Sequence, residues 1–405
     1  MGNSASQINF DGNSWLAGFR SGVISPDEQI ALTEPRAFAD QTIRQSLRLA
    51  GGGSRVRVRL TNRYGRTPLR VRARIAIQSA GDEIDAATDT PLRFAGADEV
   101  RIAPGAEVVS DPIDWATTAG TTLALSLYLP ESTGLATYSH MPQQTAYVAP
   151  GDQSGAVRLT GVEPVGARFF VTGVDVYGPA STPVTVAFGD SWFEGVGTTP
   201  DTDRRSVDIM NRRLPAGWVV NQGISGNRLL RPEIGESGLA RFDRDVLAVP
   251  GVRRVLLHFG INDLILGGMA GQPPATAAEL IAGFTELARR AHRAGLAVHA
   301  ATIGPFGGSV FPKVTAVEGS PIRREVNEWL LRTDVFDSVA DLADAVADPA
   351  DPDRIHPVFD SGDGTHLNDR GAAVMAETLL PMLPEFDRVI PGRGSSAGAG
   401  LAEAA

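Results

Sequence analysis

Residues 184–195 read VTVAFGDSWFEG, an apolar, β-branched run (Val184, Val186, Phe188) that ends abruptly in Gly189-Asp190-Ser191. A buried strand looks like this when it delivers a polar side chain to the edge of a sheet. A serine so placed is a candidate nucleophile, provided that a base and donors to a developing oxyanion come from elsewhere in the chain.

There are six histidines among which to seek the base. His258 and His299 fall inside expected strands, His292 on the polar side of an expected helix, and His140 in the β-rich half; these read as structural. His356 lies in a loop, and local pattern alone does not dismiss it. His366 stands in SGDGTHLN (361–368), a glycine-rich loop ahead of the last helical stretch, with Asp363 three residues before it. A carboxylate at that offset on a turn can hold the imidazole Nδ1–H and leave Nε2 to take a serine proton. Two further stretches offer donors for an oxyanion. NQGISGN (221–227) follows an expected strand, and its glycines let backbone N–H groups approach a ligand. GIND (260–263) ends the strand carrying His258, and its Asn262 brings a side-chain amide. Taken singly, each of these is ordinary turn chemistry.

The elements that must position these residues fall into two halves. From about residue 40, RVRVRL (55–60) and LRVRARIAI (69–77) alternate apolar residues with arginine, and read as two half-buried strands joined by a hairpin-like loop. Further strands are expected at 107–110, 123–129 and 169–176, with Gly/Pro/Asp punctuation between them, which suggests a sandwich or jelly roll. The arginines at 55, 57, 59, 70, 72 and 74 read as a solvated strand face that discourages edge pairing. Residues 177–183, with two prolines and small residues, look like a connector. Beyond it, strands expected at 184–188, 218–221, 255–259, 296–302 and 335–341 are interspersed with helices near 204–214, 238–247, 276–294, 322–332 and 370–383. Such alternation implies a parallel sheet covered on both faces, whose ligands bind beyond the carboxyl ends of its strands. The division expected is residues 1–180 as an all-β domain, 181–391 as an α/β domain and 392–405 as a flexible Gly/Ser/Ala-rich tail.

Composition narrows the classes of function. A 405-residue chain with 42% hydrophobic and 21% charged residues suits a two-domain globular protein. The absence of cysteine excludes disulfides and thiolate chemistry. A net charge of −10 is a poor match to nucleic acid. No apolar run approaches the roughly 20 residues of a membrane helix. The opening MGNSAS formally matches a myristoylation pattern but is read as a trimmed start. No signal peptide is expected in the chain as given. The compartment is left open between secreted or periplasmic, with a signal already removed, and cytoplasmic. Asp344, Asp348, Asp351 and Asp353 gather in a proline-interrupted loop that lacks EF-hand spacing, so a solvated loop is expected there rather than calcium.

The blocks GDS, ISGN, GIND and DGTH occur in that order, three after expected strands and the last before the final helix. In this arrangement residues 181–390 resemble the SGNH (GDSL-type) hydrolases, and a β domain with an arginine-rich hairpin ahead of the block resembles two-domain bacterial members, many of them secreted. The resemblance implies a flavodoxin-like α/β/α fold preceded by a jelly-roll-like β-sandwich. It implies Ser191 as nucleophile, His366 as base and Asp363 as its orienting carboxylate. It also implies an oxyanion hole from the backbone N–H groups of Ser191 and Gly226 and the amide of Asn262. Where the family usually continues with Ile-Thr or Leu, this chain has Trp192-Phe193, which are expected to narrow or line an acyl pocket. The function expected is a serine esterase acting on short-chain acyl esters such as O-acetyl groups on glycans, with no metal or organic cofactor. A lipase, lysophospholipase or acyltransferase would use the same residues, and a glycan-binding protein with a silent hydrolase domain is the alternative of another class. Oligomeric state is not legible.

Overall fold

The computed structural model describes residues 12–383; the tail expected at 392–405 lies outside them. Residues 13–179 build antiparallel sheets. One has the spatial order Asn13–Arg20, Val171–Pro179, Arg55–Thr61, Glu107–Val109. The other runs Glu163–Val165, Ala146–Pro150, Gln41–Arg48, Thr122–Leu129, Leu69–Ala80, Glu83–Ile84. Val56, Val58 and Leu60 from the first and Val71, Ala73 and Ile75 from the second are buried in one core. The intervening arginines take the opposite faces, as the period of two requires.

The two arginine-alternating strands do not form the expected hairpin. Arg55–Thr61 pairs with Val171–Pro179, and Leu69–Ala80 pairs with Thr122–Leu129, so residues 62–68 cross from one sheet to the other. Asn62 secures the crossing: its Nδ2 donates to the carbonyls of Thr67 and Ile102 at 2.9 and 3.0 Å. Alternation dictates which face a side chain takes and is silent about which strand lies alongside.

Nor are the arginines simply solvated. Arg57 and Arg59 converge with the buried Arg20 on Asp175, which is fully enclosed. Burial alone would raise the Asp175 carboxyl, but Arg20 and Arg59 outweigh it and hold the group far below the usual carboxylate range. Arg55 stacks over the Tyr177 ring at 3.9 Å. Arg70 pairs with Glu99 and Glu131, and Arg74 with Asp89. The partner of the first group lies more than 100 residues away, beyond the reach of local pattern.

From residue 184 a five-stranded parallel sheet has the order Trp218–Gly223, Val184–Gly189, Val252–His258, Ala297–Ala301, Ser338–Ala340. In order of sequence this is 2-1-3-4-5, the flavodoxin-like doubly wound arrangement with its switch point beside the first strand. The interior strand Val184–Gly189 is buried throughout, as its continuous apolar run anticipates. Ala277–Arg293 begins with a capping box from Thr276 and Glu279. Ala316–Arg332 starts six residues before the expected 322, despite Gly319 and Pro321 in its first turns. Tertiary packing overrides those breakers: Gly319 packs so closely on Leu264 and Phe306 that a Cβ would crowd both.

The two halves share one apolar core and are stitched by hydrogen bonds. Ala17 N–H donates to Pro250 O at 2.9 Å, and Trp218 Nε1–H donates to Ala17 O at 2.6 Å. Among the described residues no helix is long and apolar enough to cross a membrane.

Candidate active site

Ser191 opens a single helical turn, Ser191–Glu194, directly after the strand Val184–Gly189. Asp190 caps that turn, its Oδ1 accepting the Trp192 N–H at 3.1 Å. The turn holds Ser191 at the carboxyl edge of the sheet with only 4% of its surface exposed.

The loop before the final helix brings His366 to it. His366 Nε2 lies 3.0 Å from Ser191 Oγ, and His366 Nδ1 lies 2.6 Å from Asp363 Oδ2. The other oxygen of Asp363 accepts the backbone N–H groups of Thr365 and His366, each at 2.8 Å. Burial would raise the Asp363 carboxyl; its bonds to the imidazole and to these two N–H groups prevail and lower it to about 2. The carboxylate is therefore charged at neutral pH and aimed at Nδ1.

The ISGN and GIND stretches arrive at the same edge. Glu194 takes the Ser225 N–H with one carboxylate oxygen and the hydroxyl of Ser139, from the β half, with the other. That consumes the Ser225 N–H. The N–H groups of Ser191 and Gly226 donate to no protein acceptor among the described residues. Gly226 has φ +74°, and a side chain there would also collide with Ile234. Asn262 lies in the first turn of Ile261–Ile265, and its Nδ2 donates one hydrogen to Asn227 O at 3.0 Å. The next residue, Asp263, accepts the N–H groups of Leu229 and Leu230 at 2.7 and 3.0 Å, tying GIND to the segment after ISGN. Burial pushes its carboxyl up to about 6 against those two donors.

Several of these supports carry no sequence signal. Arg241, wholly buried, reaches Gly189 O, Gln222 O and Asn227 Oδ1 at 2.9, 2.9 and 3.0 Å, bracing the ends of two strands and the ISGN turn. The segment between the first two strands of the β half also reaches the site. Ile30 N–H donates to Glu233 O, and Leu32 Cδ1 stands 3.4 Å from where a Cβ on Gly226 would be. The exposed Phe311 sets its ring edge-on to His366, centroids 6.0 Å apart.

Trp192 and Phe193 do not line an open pocket. They are 3% and 0% exposed, packed beneath Ser191. The helical turn that lifts Ser191 to the edge sends the next two side chains inward: the indole lies on His258 and Phe193 joins the core. Of the remaining histidines, His258 contacts Asp190 Oδ1 at 3.3 Å and His299 contacts Ser338 Oγ at 2.8 Å. His292 reaches Asp337 at 3.1 Å, His356 accepts from the Val358 N–H, and His140 is enclosed near Glu194. Of the six histidines, only His366 is within hydrogen-bonding reach of Ser191 Oγ. Asp353 of the acidic loop is taken up by Arg323 and Arg324.

Residues 187–374, which follow the β-rich region, match the model of the GDSL-like Lipase/Acylhydrolase family. Solved structures similar to it include the native aryl esterase of M. smegmatis (15% identity, 51% of this chain and 100% of that one, TM-score 0.41). A GDSL-like lipase from Bacteroides thetaiotaomicron is 16% identical (52% and 89%, TM-score 0.39). A carbohydrate acetylesterase from Sinorhizobium meliloti is 15% identical (50% and 98%, TM-score 0.40). No curated protein matches the chain.

Proposed function

We propose that this chain is a serine esterase that cleaves carboxylic esters through an acyl-enzyme. The observation that carries this reading is the continuous line Asp363–His366–Ser191, with spacings of 2.6 and 3.0 Å. His366 Nε2 takes the Ser191 proton as Oγ attacks the ester carbonyl, and Asp363 holds the tautomer and the resulting imidazolium. The unengaged N–H groups of Ser191 and Gly226 and the second amide hydrogen of Asn262 serve the oxyanion. His366 then passes the proton to the leaving alcohol, and water activated by the same imidazole releases the acid. In this reading residues 1–180 are a β domain and residues 181–391 the hydrolase domain.

Short acyl groups, such as O-acetyl groups on glycans, are the substrates we assign. The confined position of Ser191, only 4% exposed at the edge of the sheet, supports a small acyl site. The experiment is a chain-length series of p-nitrophenyl esters beside acetylated xylan, with Ser191→Ala as control. C2–C4 esters are expected to exceed C8–C16 in kcat/KM, and Ser191→Ala to lower kcat by roughly 10⁴–10⁶-fold. Wild-type turnover by Ser191→Ala would refute the mechanism, and a preference for C8–C16 would refute the substrate class.

A further inference from the structure

Ser191 and His366 come from segments 175 residues apart, yet proton transfer between them requires a separation held near 3 Å. The residue after the nucleophile and the residue before the base are themselves joined: Trp192 Nε1–H donates to Thr365 O at 2.9 Å. This second tie between the two segments runs parallel to the Ser191–His366 contact.

The indole that makes it is held on every side. Its own backbone N–H is fixed by Asp190 Oδ1. Its face stacks on His258, centroids 4.9 Å apart and planes 20° from parallel, and His258 Nδ1 faces the same Asp190 oxygen. Its far edge fits against Gly304 so closely that a Cβ there would collide with the six-membered ring. The remaining bonds of the 360–368 loop shape it internally, through Asp360 and Asp363, tie it through Asp360 and Asn368 to residues 356–359 and the start of the last helix, or reach the neighbouring 308–310 segment through the Val310 N–H. None of these refers the loop to the strand that carries Ser191.

We propose that Trp192 is a positioning residue: its indole N–H, by holding Thr365 O, sets the reach of His366 Nε2 to Ser191 Oγ. A ring aimed at the interior from the residue after the nucleophile acts on the base, and it has no contact with the substrate. Misplacing a catalytic base by about 1 Å costs on the order of 100-fold in rate, so a tie of this kind acts on turnover and leaves ground-state binding alone. The inference rests on the serine-esterase reading given above.

The test uses the full chain with two replacements: Trp192→Phe, and Trp192→benzothienylalanine, an isostere that keeps the fused ring and lacks the N–H. Each is expected to lower kcat on p-nitrophenyl acetate about 10- to 100-fold, with KM within about two-fold of wild type. The rate of fluorophosphonate labelling of Ser191 is expected to fall in parallel. The isostere, which preserves the stack on His258, is expected to keep the thermal midpoint of wild type. Wild-type kcat in the isostere would overturn the proposal even if Trp192→Phe were impaired or unfolded, because packing alone would then be the role of the ring. Should Ser191→Ala retain wild-type turnover, the serine-esterase reading itself fails; should it be inactive while the isostere is wild-type, only this inference fails.

Discussion

The guanidinium of Arg241 donates from Nη2 to the carbonyl oxygen of Gly189, 2.9 Å away and two residues before Ser191. The same group serves Gln222 O and Asn227 Oδ1 and lies over the Phe188 ring at 4.1 Å. Burial pushes Arg241 down to about 10, against the opposing pull of Asp245, so it is charged at neutral pH. Arg241→Met is expected to destabilise the fold by about 3–5 kcal/mol, since it strands buried acceptors and leaves Asp245 to Arg244 alone. Urea unfolding followed by tryptophan fluorescence measures this, and a loss below about 1 kcal/mol would contradict it.

Asn262 tests the proposed oxyanion donors. Asn262→Ala should lower kcat about 10²–10³-fold on p-nitrophenyl acetate with little change in KM, because the amide acts on charge that develops only in the transition state. An equal rise in KM at constant kcat would show that the amide merely holds the ground-state ester.

Asp363 gives a pH dependence whose sign follows from its lowered carboxyl. The folded value, about 2, lies below the ordinary 3.8, so the carboxylate favours the folded state above about pH 4, and that contribution disappears as pH falls towards 2. Asp363→Asn should therefore cost stability at pH 7 and have progressively less effect below pH 4, read from urea midpoints across that range. It should also lower kcat about 10⁴-fold at pH 7 by releasing the imidazole tautomer.

Asp175 carries a larger electrostatic load in the β half, where Arg20, Arg57 and Arg59 all reach it. Asp175→Ala leaves three arginines facing one another and should destabilise the protein by about 3–5 kcal/mol. Adding 0.5 M NaCl is expected to recover only a small part of that loss, since Asp175 and Arg20 are buried and screening acts weakly there. Full recovery in salt would place the cluster in solvent instead.

By itself the sequence determined the kinds of element, and the places where short polar blocks interrupt them. The run 184–189 is buried because it is apolar throughout, and 277–293 is helical because its apolar stripe repeats every 3.6 residues. The glycine-rich character of ISGN and DGTH was likewise visible, because turns need residues that tolerate unusual backbone angles. Tertiary structure decided what those local patterns leave open. It sent 55–61 and 69–80 into different sheets, supplied Asp175 to the arginines, and placed Arg241, Glu194 and Asp263 behind the four blocks. It also turned Trp192 and Phe193 inward, where an aromatic pair beside a serine had suggested a pocket wall. The physical reason is common to all of these. Periodicity records which face of an element is apolar, whereas a hydrogen bond between residues separated by 31 to 175 positions leaves no trace until the chain has packed.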